Sequence, residues 1–221
     1  MTSVLSESAL RNGAEALDID LTEAEAAKLV GYGALLMKWS KVYNLTAVRD
    51  AAGVLTHHLL DSLAVVAPLR RELQAKGRDK IRLLDVGSGA GLPGAVIAIL
   101  CPNVEVICLD AVAKKTAFVQ QVAAELELTN LRGLHARVEL LTDRFDVVSS
   151  RAFAALDDFV VGSANALRPD GIWLAMKGRM PSDEIANLPD AAEVFHVEQL
   201  VVPGLDAERC IVWMRKRSAF E

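Results

Sequence analysis

Asp85 stands two residues ahead of Gly87, and Gly89, Gly91 and Gly94 follow closely, directly behind the apolar pair Leu83-Leu84. Glycine lets a backbone turn through positive φ and lets a ligand approach without meeting a Cβ, so this spacing marks a place where main chain can cradle a small molecule. Pro93 suits the opening turn of a helix, where its missing N–H has no helical partner, and the apolar run Ala95 to Leu100 continues that helix. The stretch therefore reads as strand, tight turn and helix, a nucleotide-type binding loop. A dinucleotide fingerprint counted from Gly87 needs glycine or alanine at position 92, and this chain has Leu92.

What remains, Asp85-x-Gly87-x-Gly89-x-Gly91, resembles the first motif of the class I methyltransferases that use S-adenosylmethionine. An acid ahead of the glycines suits that cofactor, which brings a sulfonium and an ammonium rather than a pyrophosphate. Asp110 follows the glycines by about 20 residues, where an acid at the end of a second strand accepts hydrogen bonds from ribose hydroxyls. It is equally placed to cap the helix that starts near Lys114.

Such a loop needs a sheet to hold it, and from Ile81 strand and helix patterns alternate. Val104 to Leu109 is a β-branched run, Lys114 to Leu128 reads as a helix with Phe118, Val122 and Leu126 inward, and Leu131 to His135 is a third strand. Arg137-Val138-Glu139 forms a turn, and Phe145 to Ser150 is a strand apolar enough to be buried on both faces. Leu156 to Leu167 reads as helix, Arg168 to Gly171 as turn, and Ile172 to Met176 as strand. A short helix is expected over Pro181 to Leu188. The runs Val194 to Val202 and Cys210 to Met214, with no helix between them, predict an antiparallel hairpin that closes the sheet. Arg151 falls just after the fourth strand and has three roles open to it: pairing a cofactor carboxylate, contacting an RNA phosphate, or neutralising Asp146.

Residues ahead of this region read as helical. Thr22-Glu23-Ala24-Glu25 has capping-box spacing and opens a helix that ends near Lys41 to Tyr43. After the polar turn Tyr43-Asn44-Leu45-Thr46, Leu55, Leu59, Leu63 and Val66 mark one face of a second helical stretch. His58 and Asp61 share a face there, and their spacing alone suits a surface His beside an acid. Arg70 to Arg82 reads as a basic linker, dividing a helical extension (1–80) from the glycine-loop domain (81–221).

With 221 residues and 52% hydrophobic content, the chain can bury one sizeable core and carry a small appendage. A net charge of −5 argues against coating nucleic acid by charge alone, so any RNA contact must be a local patch. Cys101, Cys108 and Cys210 have apolar neighbours and no C-x-x-C spacing, which predicts buried reduced thiols and no metal site. No signal-peptide pattern and no apolar run of membrane-spanning length is evident, so a soluble cytoplasmic protein without a membrane partner is expected.

Six segments, in order, make a more specific resemblance: Asn44-Leu45-Thr46, His58 to Leu63, Asp85 to Gly94, Ser150-Arg151-Ala152-Phe153-Ala154, Met176-Lys177-Gly178 and Leu205 to Arg209. They are similar to the RsmG (GidB) family, bacterial methyltransferases that place a methyl group on guanine N7 of 16S ribosomal RNA. The resemblance implies a class I S-adenosylmethionine-dependent methyltransferase fold: an α/β, Rossmann-like seven-stranded sheet, last strand antiparallel, with an N-terminal helical extension. It implies S-adenosylmethionine as cofactor, 16S RNA within a small-subunit particle as partner, and no metal. Asp85, Gly87, Gly89, Leu92, Asp110, Val138, Glu139 and Arg151 are then expected on the cofactor side, and Asn44, His58, Lys177 and Arg209 on the RNA side. His57 stands where the family often has arginine, and Val138 where it often has alanine. Arg70, Arg71, Arg78, Lys80 and Arg82, Lys177 and Arg179, and Arg209 with Arg215 to Arg217 could form one phosphate-contacting rim, but charge runs of that kind are more often solvated surface, and only Lys177 and Arg209 lie in family motifs.

What is missing supports the ring-nitrogen target that the resemblance implies. Ser149-Ser150-Arg151-Ala152 stands where exocyclic-amine methyltransferases carry an Asn/Asp-Pro-Pro-aromatic motif, and Cys101 lies on the wrong element for carbon methylation. Guanine N7 has a free lone pair and no proton, so it needs no general base, and no catalytic acid or base is assigned. A small-molecule methyltransferase of the same fold and a non-catalytic cofactor-binding module remain alternative readings.

Overall fold

The computed structural model describes residues 5–78, 80–151 and 155–217. Ser6 caps α1 (Glu7–Glu15) by accepting from the Ala9 amide at 3.3 Å. Thr22 and Glu25 form the expected reciprocal capping box at the start of α2 (Glu23–Tyr43), which Asn44 ends in the left-handed conformation. Next comes α3 (Ala51–Val54), capped by Asp50, a π-helical turn at Leu55–Leu60, α4 (Asp61–Leu63) and α5 (Val66–Lys76). Gly77, at φ 59°, stops α5. The expected linker from Arg70 is therefore mostly helix, and Arg82 already lies in β1 (Ile81–Val86). The helical run Ala51–Ala75 has the length and composition of a membrane span. In this fold its apolar residues Val54, Leu59, Leu63, Val66 and Leu69 are fully buried in the main core.

After β1 come α6 (Gly94–Leu100), β2 (Val104–Asp110), α7 (Ala113–Glu125), β3 (Leu131–His135), a 3₁₀ turn at Val138–Leu140 and β4 (Phe145–Arg151). Then follow α8 (Leu156–Ser163), β5 (Leu167–Lys177), α9 (Ser182–Ala186), β6 (Ala192–Leu200) and β7 (Arg209–Lys216). The expected helix through Leu167 stops at Ser163. The expected turn Arg168 to Gly171 is instead taken into β5, where the register against β4 shifts between Phe145 and Val147. Such an irregularity lets a strand bend without leaving the sheet.

The seven strands lie in the order β3-β2-β1-β4-β5-β7-β6, all parallel except β7, which is antiparallel to both its neighbours. Strand side chains alternate between two apolar clusters, as a pleat of period two requires. Leu83, Val147, Leu174 and Trp213 join the cluster that also takes in the N-terminal helices, α6 and α7. Leu84, Val148, Trp173 and Val212 join the cluster under α8. Tyr32 of α2 is fully buried and donates its hydroxyl to the Ala90 carbonyl at 2.8 Å, which ties the helical extension to the glycine loop.

Candidate active site

The carboxyl ends of β1, β2, β4 and β5 present Gly87, Asp110, Arg151 and Lys177 along one edge of the sheet. Because β7 runs the other way, its first residue Arg209 joins them. Its last residues, Arg215 and Lys216, fall at the opposite edge, where Arg215 lies beside Ile172. Arg78 and Arg82 are at that opposite edge too, bound to Asp146 and, for Arg82, to Glu105 and Asp143. The basic residues therefore do not form one rim. Asp146 is served by Arg78, Arg168 and the Arg82 amide, which removes neutralisation of Asp146 from the roles open to Arg151.

The glycine loop is held from beneath. Asp85 is fully buried; its Oδ2 accepts from the Gly94 amide at 3.0 Å and its Oδ1 from the Ser149 hydroxyl at 3.0 Å. Burial pushes its carboxyl up to about 6, against the pull of those two donors and of Arg151. Asp110 accepts from the Gly89 amide at 3.0 Å and the Val112 amide at 2.9 Å, and Lys115 lies 3.3 Å away. It fastens the loop to the start of α7, although the residue in the cap position is Val112. Gly87 and Gly89 have φ of 65° and 59°, and a Cβ on Gly89 would meet nothing within 4 Å. This open face of main chain is the cradle a small molecule would fill, so the loop fits the cofactor that its motif implies.

Two cavities share a wall. The first is bounded by Thr46, His58, Gly87, Gly89, Leu92 and Arg151. The second, of about 370 Å³, is bounded by His57, His58, Asp61, Arg151, Lys177 and Arg209 and contains no glycine-loop residue. His58 and Arg151 belong to both. The His58 ring is fixed at both nitrogens: Nδ1–H donates to the His57 carbonyl at 3.0 Å, so Nε2 accepts from the Thr46 hydroxyl at 2.7 Å, a tautomer assigned from the network. Burial and the nearby Arg151 charge push its pKa down to about 4, so the ring is neutral near pH 7.

Asp61 is buried, not at the surface, and bonds two arginines rather than His58. Arg151 Nη1 donates to its Oδ2 at 3.1 Å and Arg209 Nε to its Oδ1 at 2.7 Å. Arg151 Nη1 also donates to the His57 carbonyl at 3.1 Å. Lys177 pairs with Glu184 at 2.7 Å, and the same Glu184 oxygen accepts from the Leu156 amide. Asn44 lies outside both cavities, its side-chain oxygen accepting from Arg49 at 3.1 Å. Val138 is buried under α8, and Glu139 is exposed beside Gly162; neither lines the two cavities. Ala152-Phe153-Ala154 of the arginine motif lie outside the described residues. All three cysteines are free and buried, and burial raises each thiol. Ser149 and Glu184 carry no signal that sequence spacing reveals, and Thr46 is marked only as part of the Asn44-Leu45-Thr46 segment, with nothing there to show that it bonds His58.

The sheet order, its one reversed strand and the glycine loop at the end of β1 define a class I methyltransferase of the kind that uses S-adenosylmethionine. Solved structures agree on that fold. TrmN from Thermus thermophilus superposes with a TM-score of 0.56 at 18% identity, over 97% of this chain and 81% of its own. Coclaurine N-methyltransferase bound to N-methylheliamine and SAH gives 0.54 at 12% identity, over 88% and 72%. The chain belongs to the family described as rRNA small subunit methyltransferase G, whose model matches residues 25–212. It is 64% identical over 220 residues to the "Ribosomal RNA small subunit methyltransferase G" of Paracidovorax citrulli, covering 96% of this chain and 90% of that one. The protein of the same name from Acidovorax sp. (strain JS42) is 63% identical over 214 residues, 95% of each chain.

Proposed function

We propose that this protein transfers a methyl group from S-adenosylmethionine to N7 of a guanine in 16S ribosomal RNA, acting in the cytoplasm on a small-subunit particle. The observation that carries this reading is the pair of cavities meeting at His58 and Arg151. Gly87, Gly89 and Leu92 would hold the cofactor in one cavity, with Asp110 toward the ribose and Val138-Glu139, outside that cavity's lining, beyond its adenine end. The base enters the other, between Arg151, Lys177 and Arg209. When bound, S-adenosylmethionine supplies an electrophilic methyl carried on a sulfonium.

The protein's own contribution is position. Neutral His58, locked between Thr46 and the His57 carbonyl, keeps the shared wall rigid. Guanine N7 attacks with its lone pair and releases no proton, so alignment across the wall suffices and no residue needs to act as a base. Asn44 ends α2 in the turn leading to Leu45 and Thr46, and its role is to place that wall. Incubation with labelled cofactor and small subunits from cells lacking this activity should label 16S RNA. Labelled small molecules with unlabelled RNA, or binding without turnover, would overturn the reading.

A further inference from the structure

We propose that Asp61 is a positioning residue for the RNA side of the site: its buried carboxylate clamps Arg151 and Arg209 together so that they seat a phosphodiester of the target strand. This rests on the ribosomal RNA reading given above. The three side chains come from separate parts of the chain, the helical extension, the end of β4 and the start of β7, with sequence separations of 90 and 148. The Asp61 side chain is 4% exposed and the two arginine side chains 22% and 23%, so the carboxylate is spent inward while the arginines reach the cavity.

The stoichiometry distinguishes this cluster from a structural ion pair. Elsewhere in the fold the charges balance: Arg71 pairs with Glu198 and Arg215 with Glu193, and where Asp146 meets both Arg78 and Arg168, Asp170 supplies a second carboxylate. Here one carboxylate faces two guanidiniums, leaving one uncompensated positive charge on a concave wall. Among the described residues Arg209 Nη1 bonds the Glu208 carbonyl, and Arg151 uses only Nη1. Nη2 of both arginines and Nε of Arg151 make no hydrogen bond there, so a planar donor edge remains for an anion's oxygens, the geometry that phosphate accepts. Without Asp61 the two like charges would repel and the donor edges would separate.

The location selects the anion. Asp61 and Arg209 bound the cavity that holds no glycine-loop residue, whereas a cofactor seated on Gly87 to Leu92 would occupy the other. Asp61 itself touches no substrate, since a carboxylate repels phosphate; it acts through the two arginines.

The test combines a salt titration of binding to unmethylated small subunits with steady-state methylation and calorimetric cofactor affinity. Arg209→Gln should lower the slope of log affinity against log salt by about one, the signature of a lost phosphate contact, and raise KM for the subunit. Asp61→Asn keeps both cations, so its slope should be at least as steep as wild type. Its kcat/KM should fall by roughly tenfold or more, because the donors are misplaced, while cofactor affinity stays unchanged. An unchanged slope in Arg209→Gln, wild-type kcat/KM in Asp61→Asn, or cofactor affinity falling in step with methylation would each overturn the proposal. Wild-type protein that leaves the RNA unmethylated would instead overturn the underlying functional reading.

Discussion

The hydroxyl of Ser149 reaches across from β4 to Oδ1 of Asp85 in β1, 3.0 Å away, where the two residues sit side by side in parallel register. Asp85 is thereby a support for the glycine loop, and its burial has a pH signature. The folded carboxyl titrates at about 6 against an ordinary value of 3.8, so the folded state binds this proton more tightly. The stability contributed is full below the unfolded pKa and is lost as pH rises through 6. Asp85→Asn keeps a partner for both Gly94 and Ser149 and removes that titration. Relative to wild type, the variant should gain on the order of 3 kcal/mol between pH 4 and 7.5. Urea unfolding at several pH values checks this; a constant difference between the two proteins would show an ordinary carboxyl.

His58 should stay uncharged through the working range. Its folded pKa of about 4 lies below the ordinary imidazole value of 6.5, so its contribution to stability is present above 6.5 and is lost as pH falls toward 4. Imidazole NMR shifts of His58 should be flat from pH 8 to about 5.5. Thr46→Val, which deprives Nε2 of its donor, should cost about 1 kcal/mol and bring His58 titration closer to neutrality. A titration midpoint near 6.5 in the wild type would contradict the buried, doubly bonded ring.

Gly94 and Gly89 should fail differently when given a methyl group. A Cβ on Gly94 would lie 2.4 Å from Cys108 Sγ and 3.0 Å from Asp85 Oδ2, so Gly94→Ala should destabilise the fold by roughly 1–3 kcal/mol. A Cβ on Gly89 meets nothing within 4 Å but projects from a residue at φ 59°. Gly89→Ala should cost only about 1–2 kcal/mol of backbone strain and weaken cofactor binding disproportionately. Thermal melting with and without S-adenosylmethionine separates the two: the ligand-induced rise in Tm should shrink more in Gly89→Ala.

The sheet was legible because β1, β2 and β4 are short apolar runs bounded by turn residues, and because the glycine spacing announces its own backbone needs. The environment of Asp61 was not, because its partners lie 90 and 148 residues away and the preceding π-helical turn hides which face it occupies. Charge without direction also misled: Arg209 and Arg215 read as neighbours, yet they stand near opposite ends of an eight-residue strand. The turn expected at Arg168 to Gly171 was drawn into β5 because the sheet can absorb a bulge that local turn chemistry does not foresee.

The central claim is that the cavity beside Arg151 presents guanine N7 to the methyl donor. It is tested most directly by digesting RNA labelled in vitro and identifying the modified nucleoside by chromatography with mass spectrometry. Small subunits from cells lacking this enzyme, treated with the purified protein and labelled S-adenosylmethionine, should yield labelled 7-methylguanosine from 16S RNA. Label recovered in an exocyclic-amine or carbon-methylated nucleoside, or none in the RNA, would contradict it.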